Sequence, residues 1–152
     1  MIRTTVPRLG AGLAVIALVS CLPGDTRPGL TEYNVDANGL ALKGYSPVSY
    51  VADGRAELGS SAHALQHRGV TYHLVSDEQM AAFRQSPDRF EPAFGGWCAY
   101  GISLGIRWEP DPASFEIIDG RLFLFSRSGE ADARELWDRE TDHPALIARA
   151  DH

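Results

Sequence analysis

Alternating apolar and polar residues mark two stretches of the chain as β-hairpins. From Leu65 to Val75 the alternation runs on both sides of Arg68-Gly69, a two-residue turn sequence. The same pattern continues from Phe115 to Phe125 around Asp119-Gly120, the kind of pair that type I′ turns prefer. Both stretches are therefore predicted to form antiparallel strand pairs that bury one face.

Capping signals predict the helices. Ser76 and Gln79 stand at the three-residue spacing of a capping box, which opens a helix that stops before Pro87. The segment from Pro47 to Val51 is short and rich in β-forming residues, so we expect a strand there. Further short helices are predicted for Trp97 to Leu104, for Glu130 to Arg139, and for Pro144 to Ala150 with Asp142 as its cap.

This mixture predicts the α+β class: one small domain of antiparallel β-hairpins and short helices. A length of 152 residues suits a single domain, and a composition of 44% hydrophobic and 22% charged residues is that of a globular protein. The net charge is −6, and no run of basic residues occurs. Nucleic acid is therefore not an expected partner.

The first residues have the pattern of an export signal. Arg3 and Arg8 precede an uncharged apolar run from Leu9 to Val19, which is too short to span a membrane. Ser20 is followed by Cys21, and together with the aliphatic residues before them they match a lipoprotein processing site. We expect residues 1–20 to be a cleaved signal peptide, 21–34 a lipidated cysteine with a flexible tether, and 35–152 the domain. The membrane is then a partner through the lipid, and the domain lies in the cell envelope, on the periplasmic side in a Gram-negative cell.

Cys98 is the first candidate for chemistry. If Cys21 carries lipid, Cys98 has no cysteine left to pair with, because the chain contains two. It follows Gly95-Gly96, whose backbone amides could point at a ligand, and a position in the first turn of a helix would favour the thiolate. The competing interpretation is that Cys98 fills space in the core, as free cysteines often do.

His67 is the best candidate among the five histidines. The expected register pairs it with Val70, which places it and His63 on the face that carries Leu65. Four residues along a strand separate His63 from His67 by roughly 13 Å, too far for both to bind one ion. No metalloprotease, zinc-finger or hydrolase motif occurs, and no complete catalytic set is visible.

Several of these segments resemble exported YHS-domain proteins. The stretch Gly44-Tyr45-Ser46-Pro47-Val48-Ser49-Tyr50 resembles the family's opening motif, and Gly95 to Ala99 resembles its Gly-Gly-Tyr-Cys-Ala motif. The resemblance implies a small metal-associated fold over residues 35–150, with Cys98 at the family's cysteine or selenocysteine. Ser46 and Trp97 depart from the family pattern, which has Asp and Tyr there. The pocket residues expected near Cys98 are Tyr45, Gly95, Gly96, Trp97 and Tyr100.

Three functions remain open at this point. The first is an envelope-anchored, non-enzymatic domain that binds copper or another soft metal through Cys98 with His67, and serves a metal-handling partner protein. The second is a thiol redox protein in which Cys98 reacts with a redox partner protein. The third is an interaction or small-ligand module in which Cys98 is structural.

Overall fold

The structure, a computed structural model, describes residues 32–150. The predicted signal peptide 1–20, Cys21 and the tether as far as residue 31 lie outside this range. In chain order the elements are α1 Pro47–Asp53, β1 Ser60–His67, β2 Val70–Leu74, α2 Asp77–Gln85, α3 Pro87–Phe90, α4 Ala99–Ser103, β3 Asp111–Ile118, β4 Arg121–Phe125, β5 Arg127–Ser128, β6 Ala131–Asp132, α5 Ala133–Arg139 and α6 His143–Ala150. Short 3₁₀ turns cover Leu42–Gly44 and Ala93–Gly96. The α+β class with antiparallel hairpins is confirmed.

Both predicted hairpins are present, with the expected turns. In the first, β1 and β2 pair His67 with Val70, and Arg68 and Gly69 have φ values of 50° and 82°. In the second, Asp119 and Gly120 have φ values of 50° and 77° between β3 and β4. Two consecutive positive φ angles are the mark of a type I′ turn, whose twist matches that of the strands. The local turn chemistry therefore sets the register of each hairpin.

The prediction of a strand from Pro47 to Val51 is wrong, because this segment forms helix α1. The Ser46 hydroxyl accepts a hydrogen bond from the Ser49 N–H at 3.4 Å, and Pro47 occupies the first turn, where its fixed φ suits a helix. Gly54 ends the helix in the left-handed conformation, with φ 66°. These caps outweigh the weak β-preference of the valines between them.

The other predicted helices are confirmed, with bounds that differ by a few residues. Ser76 caps α2 by accepting from the Gln79 N–H at 3.4 Å. The Gln79 side chain does not return to Ser76: its Oε1 accepts from the Ser46 hydroxyl at 2.7 Å and from the Val75 N–H at 3.1 Å. Asp142 caps α6 by accepting from the Ala145 N–H at 3.0 Å. Gln79 thus joins α2 to the start of α1.

The buried side chains form two clusters on either side of β4. The first packs α1, the β1–β2 hairpin, α2 and α3 around Tyr50, Tyr72 and Phe83. The second packs α4, α5 and α6 around Phe123 and Trp137. Leu122 and Leu124 of β4 belong to the first cluster, and Phe123 and Phe125 belong to the second, as expected when successive strand residues face opposite sides. Within residues 32–150, every helix is too short or too polar to cross a membrane.

Candidate functional site

Cys98 lies in the second core cluster and is completely buried. It precedes α4 as its N-cap, and its Sγ accepts hydrogen bonds from the backbone N–H groups of Gly101 at 3.5 Å and Ser126 at 3.3 Å. Its own N–H donates to the Trp108 carbonyl at 3.1 Å. The sulfur thus connects α4 to the end of β4, and it is not reachable from solvent in this conformation.

The glycines beside Cys98 serve a close approach of backbones. Gly95 has φ 62°, and a Cβ there would lie 2.2 Å from the Glu32 carbonyl oxygen, so no other residue fits. The Gly95 carbonyl accepts from the Asn34 N–H at 2.9 Å, and the Gly96 carbonyl accepts from the Asn34 side chain at 3.3 Å. The pair therefore holds the first described segment of the chain against the domain.

The residues expected to form one pocket around Cys98 lie in several different parts of the domain. Gly96 lines a cavity of about 190 Å³ whose walls include Leu42, Tyr50 and Leu124, but not Cys98. Tyr45 packs against the first core cluster, and the Tyr100 ring is tilted against the Trp108 ring, with 6.4 Å between their centroids. Trp97 and Arg107 line a separate shallow hollow near Tyr33.

His67 lies beside two acidic residues, Asp88 and Glu91, and not beside Cys98. It ends β1, and its ring stands edge-on to Phe83 of α2, 6.1 Å away between centroids. Its Nε2 lies 3.7 Å from Glu91 Oε1 and 3.9 Å from Asp88 Oδ1. Among residues 32–150, His67, Asp88 and Glu91 form the only group of three His, Cys, Asp or Glu side chains whose ligand atoms all lie within 4.8 Å of one another. Cys98 is not in this group.

Arg68, next to His67 in the hairpin turn, pairs with both carboxylates. Its Nη1 donates to Glu91 Oε2 at 2.7 Å, and its Nη2 donates to Asp88 Oδ1 at 2.9 Å. The ionised Glu91 is the main cause of a raised pKa of the Arg68 guanidinium. Burial raises the pKa of Glu91, while the charges of Arg68 and His67 lower it. Burial is the larger effect, and the pKa of Glu91 is therefore raised. Its side chain is 11% exposed.

Two buried atoms of the group face each other without a protein partner. His67 Nε2 and Glu91 Oε1 are both shielded from solvent, and neither makes a hydrogen bond with the described residues. Their separation of 3.7 Å is too long for a direct hydrogen bond. It is close to the ~3.4 Å expected between two ligands of one tetrahedral ion with bonds near 2.1 Å. The Tyr72 hydroxyl is likewise buried without a partner, and burial, followed by the charge of Glu91, raises its pKa.

The sequence patterns predicted His67 but not Asp88 and Glu91. The signal for the acidic pair was present: the two residues stand three apart directly after Pro87, a spacing that puts both side chains on one side of a helical turn. What the pattern could not supply was the packing of α3 against the hairpin turn. His63 stays apart from the group, as its strand position required, and its Nε2 lies 3.8 Å from Asp77.

The fold and this site define a small α+β domain with one imidazole and two carboxylates gathered at a hairpin turn. Comparison of the chain with profiles of known protein families, with curated proteins and with solved structures gave no match. The function is therefore inferred from the residues of the chain itself.

Proposed function

We propose that the chain is an exported, lipid-anchored, YHS-like domain that binds a metal ion at His67, Asp88 and Glu91. The observation that carries the metal site is the pair of buried, unpartnered atoms His67 Nε2 and Glu91 Oε1, 3.7 Å apart. Burying a polar atom without a partner costs free energy, and an ion bound between these two would satisfy both. Asp88 adds a third donor atom within reach, the second carboxylate oxygen of the group.

The donor set favours a divalent ion such as Zn²⁺ or Cu²⁺. One imidazole nitrogen and two carboxylate oxygens suit such ions, whereas Cu(I) prefers thiolate and thioether donors. The soft-metal arrangement favoured by the sequence, Cys98 with His67, has less support. Its thiol would have to release two backbone N–H donors, and the ion would have to enter the core. Of Cys98 and His67, only His67 lies beside further side chains that could bind the same ion, namely Asp88 and Glu91.

The experiment is a titration of the lipid-free chain with Zn²⁺ and Cu²⁺ against a chromophoric chelator. We expect one ion per chain, with affinity reduced at least about tenfold in His67→Gln and in Glu91→Gln, since each removes a ligand. His63→Gln is the matched control, because His63 lies on the same face of β1 with similar exposure but pairs with Asp77. Cys98→Ala should bind as the wild type does. Loss of binding in a Cys98→Ala chain that unfolds at the same urea concentration as the wild type, with retention in His67→Gln, would move the site to the thiol.

The anchor has a separate test. The export signal 1–20 and the lipidation of Cys21 rest on the sequence pattern, since both lie outside the described residues. Cells that express the full chain should incorporate an alkyne-labelled fatty acid into it, and Cys21→Ser should not. Label retained in Cys21→Ser would reject lipidation at this residue while leaving the metal proposal untouched.

A further inference from the structure

Arg68 places a positive charge between Asp88 and Glu91, the two carboxylates that are proposed to bind the metal ion. Its guanidinium spans the two acidic residues, with 2.7 Å to Glu91 Oε2 and 2.9 Å to Asp88 Oδ1. The two carboxylates are thus already neutralised in part by a residue of the same hairpin turn. Any ion that enters must share them with this charge.

The sharing differs between the two carboxylates. Glu91 uses Oε2 for Arg68 and turns Oε1 toward His67, so it can serve both cations at once. Asp88 presents the same atom, Oδ1, to Arg68 at 2.9 Å and to His67 at 3.9 Å. An ion bound to His67 Nε2 and this oxygen would be in direct competition with the guanidinium.

We propose that Arg68 is an internal competitor of the metal: it holds Asp88 in the empty site and releases it, while keeping Glu91, when an ion binds. This inference rests on the proposed function. The affinity of the site for a metal ion then depends on how much more strongly Asp88 Oδ1 binds the ion than it binds the Arg68 guanidinium. This competition also couples the site to the turn, because Arg68 is a turn residue and its guanidinium is held by ion pairs to Asp88 of α3 and to Glu91, with a further hydrogen bond to Tyr33.

Arg68→Asn is the informative variant. It removes the guanidinium, and it turns Arg68-Gly69 into Asn-Gly, the preferred type I′ pair, so the hairpin should keep its fold. Arg89→Gln is the control for net charge. Arg89 lies on the same helix α3 beside Asp88, but its guanidinium lies 5.3 Å from the centre of the Phe90 ring and forms no ion pair with Asp88 or Glu91.

The measurement is a Zn²⁺ titration of the lipid-free wild-type chain and of both variants at one ionic strength. We expect Arg68→Asn to bind Zn²⁺ about tenfold more tightly, as is typical of coupling between linked sites, and Arg89→Gln to remain within about twofold of the wild type. In the wild type, the NMR signals of the Arg68 guanidinium should also shift and gain mobility as Zn²⁺ is added.

Each outcome has a distinct meaning. Zn²⁺ binding by the wild type that is unchanged or weaker in Arg68→Asn overturns the inference and leaves the proposed function standing. Equal tightening in Arg68→Asn and Arg89→Gln also overturns it, since general electrostatics would then suffice. Binding by Arg68→Asn alone supports it. Absence of binding in both the wild type and Arg68→Asn overturns the metal site itself.

Discussion

The burial of Cys98 predicts that its thiol is strongly protected from alkylation. In the Cys21→Ser chain Cys98 is the only thiol, and it is fully buried at the N-cap of α4. Iodoacetamide can reach the sulfur only after α4 separates from β4. Small domains are stable by about 5–15 kcal/mol, and local openings cost a part of that. Taking at least about 4 kcal/mol for this opening, and a factor of ten for each 1.4 kcal/mol, the native rate should be roughly 10³-fold below the unfolded rate.

The assay follows alkylation by mass spectrometry, in native buffer and in concentrated guanidinium. The control is Ser61→Cys in a chain that lacks both natural cysteines, since residue 61 is exposed on β1 and its thiol should react at similar rates in both conditions. A native Cys98 rate within about tenfold of the unfolded rate would refute the argument from burial. It would also restore the redox hypothesis, which needs a thiol that a partner can reach.

Three further predictions concern stability. Tyr50→Phe leaves the Pro112 carbonyl without the hydroxyl that donates to it at 2.7 Å, so urea unfolding should show a loss of about 1–3 kcal/mol. Gly101→Ala places a Cβ 2.8 Å from the Ile106 carbonyl oxygen and should cost about 1–3 kcal/mol; a change below 0.5 kcal/mol in either variant would contradict the contact that motivates it. Because the pKa of Glu91 is raised in the folded protein, the folded state binds that proton more tightly than the unfolded chain does. The stability that Glu91 contributes is therefore present below the ordinary glutamate pKa and is lost as pH rises through its raised pKa. The free energy of unfolding of the wild type should accordingly fall more, or rise less, with pH over this interval than that of Glu91→Gln, and equal slopes in the two proteins would count against it.

The elements that could be predicted from the sequence are those specified by neighbouring residues. A type I′ turn needs two residues with positive φ, and Asp119-Gly120 supplies them whatever the rest of the fold does. The cap of α2 is equally local. Helix α1 differs from the strand that its β-branched residues predict, because the side chain of Ser46 caps a helix there. The capping residue was the stronger signal.

The site could be predicted only in part, because its members come from distant segments. Arg68 and Glu91 are 23 positions apart and meet only because α3 packs against the end of the first hairpin. No spacing rule joins a strand-end histidine to a carboxylate on a later helix. The amides and the thiol of the Gly-Gly-Trp-Cys segment predict a ligand site. In the structure, Gly95 is explained by its close approach to Glu32, and Cys98 by the two backbone N–H groups from which its sulfur accepts hydrogen bonds.

The separation of Cys98 from His67 decides how a loss of metal binding should be interpreted. His67 lies against Phe83 in the first core cluster, whereas Cys98 packs in the second, on the other face of β4. A substitution at His67 can therefore abolish binding without changing the free energy of unfolding by much, since its Nε2 makes no hydrogen bond to lose. A substitution at Cys98 removes an acceptor for two buried N–H groups and can lower stability throughout the domain. Binding that disappears in a Cys98 variant thus speaks for a thiol ligand only if that variant unfolds at the same urea concentration as the wild type.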